Sequence, residues 1–294
     1  MHRYWRAADH VVTRRIFGLV LLGAVLSAAP PERIVSTAPS ITELLYALGL
    51  GNRVVGVTRF CRYPPEAQLK PKIGDYTSPN LEAIAALRPD LVIIQTNPVH
   101  LADRLAKLKL HVLEIDQENI AAIYKSIHDV GAATGTEHAA TQLSDSILDG
   151  LGKIRNRVAP LPRVRMMFVI GRSPNRLDGL VVAGRASYLN EVIEIAGGEN
   201  VFHDAVAGYP EVSLEEVMAR NPEVIVDMGD MSDTAGVTEE HKRNVIALWN
   251  RIPNLAAVKQ HRVFAVASDI FVVPGPRVIE AAKAFAEMLH PGVR

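Results

Sequence analysis

An internal echo constrains this chain most. Asn80-Leu-Glu-Ala-Ile-Ala-Ala-Leu-Arg-Pro-Asp-Leu-Val-Ile aligns without a gap to Ser213-Leu-Glu-Glu-Val-Met-Ala-Arg-Asn-Pro-Glu-Val-Ile-Val, an offset of 133 from position 80 to position 213. Each copy reads as cap, leucine, glutamate, short helix, proline, acid and buried strand. Asn or Ser satisfies free N–H groups at a helix start, a glutamate suits the positive helix end, and proline stops the helix. Any helix-to-strand unit favours those choices. The matched step from cap to proline, Asn80 to Pro89 and Ser213 to Pro222, nevertheless points to a repeated unit.

The chain around the echo alternates in the same way. Strand-like runs fall at Arg33 to Thr37, Val54 to Val57, Leu91 to Ile94 and His111 to Ile115. Ser40-Ile41-Thr42-Glu43 has the spacing of a capping box and opens a helix that ends at Gly49; further helices run to Arg88 and over Leu101 to Leu108. Ile120 to Val158 is helical in pattern and free of proline, with Gly131, Gly135, Gly150 and Gly152 weakening it. After Pro160 and Pro162 the alternation resumes. Strands are expected at Arg165 to Ile170, Val224 to Asp227 and Val263 to Ala267, and helices at Tyr188 to Ala196, Leu214 to Arg220 and Arg277 to Leu289. Short aliphatic runs between breakers suit parallel strands covered on both faces. The expectation is an α/β fold of two Rossmann-like lobes with parallel sheets, residues 30–135 and 161–294. One long connecting helix over 136–160 joins them, and a ligand cleft lies between.

The first 29 residues carry Arg3, Arg6, Arg14 and Arg15 against Asp9, a net charge of +3, followed by an apolar run from Ile16 to Ala29. This is the pattern of a signal peptide and predicts export to the periplasm, with a cleaved start near Pro30. A helix of that run falls short of the roughly 30 Å hydrocarbon core, although an uncleaved anchor stays open. Thr13-Arg14-Arg15-Ile16-Phe17 also leaves the twin-arginine route open beside the general one.

With the full chain at zero net charge, no basic surface for nucleic acid is indicated. One cysteine, Cys61, allows no internal disulfide and puts no lipid-bearing thiol at the leader junction. No Gly-x-Ser-x-Gly elbow, phosphate loop, dinucleotide fingerprint or paired metal motif is present in the sequence. His100, His111, His203, His241 and His261 are scattered. A Cys61-based enzyme, with the thiol activated beside an arginine, is the rival reading from another class. Otherwise the chain is expected to be no enzyme, to need no cofactor or metal, and to be a monomer.

Aromatic residues are 5% of the chain, yet Phe60, Tyr63, Tyr76, Tyr209 and Phe271 fall in loops expected after strands, where an open α/β sheet presents its ligand face. Rings there bury large area at little entropic cost and suit a flat or apolar ligand. Trp249, in the helix-like run Val245 to Arg251, reads as core.

Several segments together resemble the helical-backbone class of periplasmic substrate-binding proteins of ABC importers. They are Arg33-Ile-Val-Ser-Thr-Ala-Pro-Ser-Ile-Thr-Glu-Leu-Leu-Tyr-Ala-Leu-Gly, Val54-Val-Gly-Val, Tyr63-Pro-Pro-Glu-Ala, Asn80-Leu-Glu-Ala-Ile, Gly197-Gly-Glu-Asn-Val-Phe and Pro276-Arg. The likeness runs from Arg33 to about Leu289 and is greatest to the cobalamin-binding members. It implies a transported corrinoid, with haem or a ferric siderophore as the alternative, and a membrane permease as partner. It implies ligand contacts at Phe60, Tyr76, Tyr209 and Asp269, and places Gln95, Val181 and Val273 where those relatives carry a tryptophan, an aromatic and an arginine. The haem-binding relatives carry a tyrosine directly after the glycine matching Gly74; here that position is Asp75. Glu82 and Glu215 match the pair that the class offers to permease arginines. Their placement at two echoed helix starts makes them widely separated anchors for orientation.

Overall fold

The computed structural model describes residues 29–96, 100–230 and 238–292. The expected leader therefore lies, except for Ala29, outside the described residues. No described helix is long and apolar enough to cross a membrane.

The first lobe is a four-stranded parallel sheet of β1 (Ile34–Ser36), β2 (Val54–Gly56), β3 (Leu91–Gln95) and β4 (Val112–Ile115), in the order β2-β1-β3-β4. Side chains alternate across it with the two-residue strand period. Ile34 and Ile93 enter one core, while Val35, Val92 and Ile94 enter a second core with Ile84 and Leu105 on the other face. Helices α1 (Pro39–Ala47), α2 (Leu81–Ala86) and α3 (Leu101–Lys107) make the crossovers.

Helix α4 (Ile120–Thr134) stops where Gly135 takes the left-handed conformation, φ +69°, which a residue with a Cβ adopts at a cost. Helix α5 (Glu137–Val158) follows. Its 22 residues extend about 33 Å, and it packs against α4 and the last helix, α10 (Val278–Leu289).

The second lobe is a sheet in the order β10-β9-β5-β6-β8, with β7 beside β5. Its strands are β5 (Val164–Gly171), β6 (Leu180–Val182), β7 (Gly198–Asn200), β8 (Glu211–Val212), β9 (Val224–Asp227) and β10 (Val263–Ala265). β5, β9 and β10 are parallel, as expected, and β7, which the sequence did not signal, joins β5 in parallel. β6 alone is reversed: it pairs antiparallel with β5 and with β8, because it returns from β5 through the short loop 172–179 rather than through a helical crossover. The second sheet is therefore mixed. Helices α6 (Tyr188–Ile195), α7 (Leu214–Arg220), α8 (Glu239–Trp249) and α9 (Ala256–Lys259) complete the lobe.

Met166, Phe168, Val224 and Val226 point to the same core that receives Ile34 and Ile93, and Ile147, Leu151, Ile154, Phe285 and Leu289 fill it from α5 and α10. One apolar core thus runs through both lobes. Trp249 is fully buried in the outer core of the second lobe, and the single cysteine, Cys61, is also buried.

The echo is structural. Asn80 Oδ1 accepts from the Ala83 N–H at 3.0 Å and Ser213 Oγ from the Glu216 N–H at 3.1 Å, so α2 and α7 are capped alike. The capping box expected at Ser40 and Glu43 does not form. Pro39 takes the first helical position of α1, where its missing N–H costs nothing, so Ser40 is buried inside the helix and Glu43 turns elsewhere.

A candidate ligand cleft between the lobes

The loop 58–63 and the loop 74–79 of the first lobe are tied together. The Arg59 N–H donates to the Gly74 carbonyl at 3.1 Å, and the Arg59 guanidinium pairs with Asp75 at 2.5 Å while lying 4.9 Å from the centre of the Phe60 ring. Phe60 and Tyr76 are thereby carried on one braced surface, each about half open to solvent.

Tyr209 comes from the loop before β8 in the second lobe and is 52% exposed, against 42% for Tyr76. Protein packed around its hydroxyl, reinforced by the charges of Tyr76 and Glu118, pushes the Tyr209 phenol up to about 12. Burial also raises Tyr76. Tyr76, from the opposite lobe, thus adds to the rise of the Tyr209 phenol. Tyr188 is buried, donates to the Phe271 carbonyl at 3.1 Å, and is raised by burial with contributions from Tyr209 and Glu43.

Arg277, the residue before α10, reaches from the second lobe into the first. Its Nε donates to Glu43 Oε2 at 2.9 Å and its Nη2 to Glu43 Oε1, a two-pronged contact suited to the planar guanidinium. The Tyr63 ring lies 4.0 Å from the guanidinium carbon. Asp269 and Glu280 are within electrostatic reach of the pair.

Gln95, at the carboxyl end of β3, donates through Nε2 to Ser40 Oγ at 3.0 Å and to Gln117 Oε1 at 2.8 Å. It sits where an open α/β sheet presents ligands, with its amide held in a polar chain. Phe271 corrects its expectation: only 3% of it is exposed, and its ring packs on Phe168 and Phe285 at 5.8 and 5.2 Å. The short turn Asp269–Phe271 folds that ring inward and leaves Asp269 half-buried near Arg277. The structure thus sets Phe60 beside the Arg59–Asp75 pair, Tyr63 and Asp269 near Arg277, and Gln95 against Ser40, and sends the Phe271 ring into the core. Glu82 and Glu215 are exposed in the first turns of α2 and α7.

Sequence reading missed Glu43, Arg277 and Tyr188 as parts of one arrangement, since no local pattern links positions 43 and 277. It also left Cys61 open as a reactive thiol. Thr42 Oγ1 donates to its sulfur at 3.1 Å, Thr58 Oγ1 lies at 3.2 Å, and burial pushes the thiol up, the opposite of what a thiolate nucleophile needs. Among the described residues no group of three or more His, Cys, Asp or Glu side chains could hold a metal ion.

The model of the periplasmic binding protein family matches residues 34–270. The chain belongs to this family. The uncharacterized ABC transporter substrate-binding lipoprotein YvrC of Bacillus subtilis (strain 168) is 33% identical, over 89% of this chain and 81% of that one. The vitamin B12-binding protein of Yersinia pestis (strain Pestoides F) is 30% identical, over 90% of this chain and 88% of its own. Among solved structures, the periplasmic vitamin B12 binding protein BtuF of Vibrio cholerae superposes with a TM-score of 0.74 at 26% identity, covering 88% of this chain and 97% of that one. The periplasmic heme-binding protein RhuT of Roseiflexus sp. RS-1, in apo form, gives 0.75 at 25% identity, over 90% and 99%. This periplasmic binding protein therefore has the two-lobed fold of its class and serves ABC transport, with a small-molecule ligand and a permease as partners.

Proposed function

We propose that this periplasmic binding protein, exported by its leader 1–29 and divided at 30–135, 136–160 and 161–294, captures a corrinoid in the cleft. It then delivers the ligand to an ABC permease, docking through Glu82 and Glu215. The observation that carries the reading is the pair Tyr76 and Tyr209, one from each lobe and half-exposed, with Tyr76 contributing to the raised Tyr209 phenol. Two such rings offer broad apolar faces to a large planar ligand. Phe60 and Tyr63 extend that lining, Gln95 and Asp269 add polar contacts, and Glu82 and Glu215 supply separated negative anchors. Similarity to B12-binding proteins agrees with this choice.

Haem is the second reading, supported by the likeness to the heme-binding RhuT. Iron held by a phenolate would have to offset the raised pKa values of Tyr76 and Tyr209. Spectrophotometric titration with cobinamide, haemin and a ferric hydroxamate decides among them. Micromolar binding of cobinamide is expected; uptake of haemin with a tyrosinate-type spectrum and no response to cobinamide would overturn the corrinoid reading.

A further inference from the structure

The Arg277 side chain leaves its own lobe and ends in a socket of the other. Glu43 of α1 closes one side with two hydrogen bonds, and the Tyr63 ring covers another. The socket is dry for an ion pair: the Glu43 and Arg277 side chains are 3% and 14% exposed. Gly275, two residues earlier, brings the same segment against the backbone of Ser40, with room for no more than ordinary contact. A second polar contact between lobes lies at α4 and α6, where the Ile120 N–H donates to Glu191 Oε1 at the long distance of 3.4 Å. Helix α5 joins the lobes covalently, but a helix end permits small rotations of what it carries. Two-pronged contact of a guanidinium with a carboxylate fixes direction as well as distance.

We infer that Arg277 is a positioning residue of the cleft: clamped by Glu43, it sets the separation of the lobes and holds the Tyr63 ring at the ligand-facing mouth. This deepens the proposed function and rests on it, since Tyr63 matters only if the cleft takes a ligand. The residue makes its contribution before ligand arrives. If its loss leaves about one molecule in ten with the lobes correctly spaced, apparent affinity falls about 10-fold with every direct contact intact.

The test places spin labels on cysteines introduced at Ala106 of α3 and Ala219 of α7, both exposed, leaving buried Cys61 in place. Inter-lobe distances are measured beside cobinamide affinity for wild type, Arg277→Gln, Arg277→Lys and Tyr63→Phe. The expected results are a narrow distance distribution for wild type and Tyr63→Phe, and a broadened one with about 10-fold weaker binding for Arg277→Gln. Arg277→Lys, which keeps the charge and loses the fork, falls between. A wild-type distribution or a wild-type affinity in folded Arg277→Gln overturns the inference. Should Arg277→Gln fail to fold, Glu43→Gln carries the same expectation. If wild type binds none of cobinamide, haemin and ferric hydroxamate, the proposed function fails instead, and the distance distributions alone decide whether Arg277 sets the spacing.

Discussion

The indole N–H of Trp249 donates to Oδ2 of Asp227 at 2.7 Å, deep in the second lobe. The same oxygen accepts Arg172 Nε at 2.9 Å, and Oδ1 accepts the Gly229 N–H at 2.6 Å, so a buried carboxylate at the end of β9 is fully engaged. Trp249→Phe keeps most of the ring and removes one donor, which should cost about 1–3 kcal/mol. Trp249→Ala adds a cavity and should cost about 3–5 kcal/mol. Urea denaturation measures both. A loss for Trp249→Phe equal to that for Trp249→Ala would show that the hydrogen bond, not the ring, dominates.

Truncating Tyr76 or Tyr209 to alanine should remove apolar contact worth about 1–3 kcal/mol, or roughly 5- to 150-fold in cobinamide affinity. Phenylalanine at either position should retain most of it. Isothermal titration checks the pair, and equal losses for alanine and phenylalanine would assign the effect to the hydroxyls.

Replacing both Glu82 and Glu215 by alanine should leave ligand affinity unchanged and reduce coupling to the permease, read as ligand-stimulated ATP hydrolysis in a reconstituted transporter. Each glutamate also favours its own helix start, so a stability loss of about 0.3–1 kcal/mol per site is expected. Impaired ligand binding by the folded double variant would remove the docking assignment.

Glu43 gives a pH dependence with a definite sign. Burial raises its pKa above the ordinary 4.5 against the pull of Arg277, and the neighbouring Asp269 and Glu280 push the same way. Against the lowering effect of burial, Glu43 and the neighbouring Glu280 and Asp269 raise the Arg277 pKa, so the guanidinium stays charged throughout and the carboxylate carries the titration. The folded state then binds this proton more readily than the unfolded chain. Stability from this group is fully present below 4.5 and is lost as pH rises through the raised value. Wild type should therefore lose stability relative to Glu43→Gln between about pH 4.5 and neutrality, measured as urea midpoints. A wild type that gains on the variant with rising pH would contradict this direction. Protonation should also loosen the contact with Arg277, so the inter-lobe distance distribution broadens in mild acid.

Much of the fold was legible because its signals are local. The aliphatic runs of β1, β3 and β9 lie between breakers, and Asn80 and Ser213 announce their helices directly. β6 and β8, three and two residues long, are too short to show a period. Ser40 and Glu43 satisfied a local capping rule that Pro39 overrode. The aromatic lining was legible only in part. Tyr76 and Phe271 both lie in loops, and the turn that buries Phe271 against Phe168 and Phe285 depends on helices far away in sequence. The Arg277–Glu43 contact, between residues 234 apart, left no local mark.

The single core through both lobes bears on how the chain reaches its native state. Phe285 and Leu289 of the final helix belong to the same cluster as Ile34 of the first strand. The last helix packs on α5, α6 and β7, so the common core is completed only by the last turns of the polypeptide. A chain threaded across a membrane in extended form would leave that core incomplete until the end of α10 had emerged, and a half-length fragment would never complete it. Such a fragment should be sticky rather than independently folded.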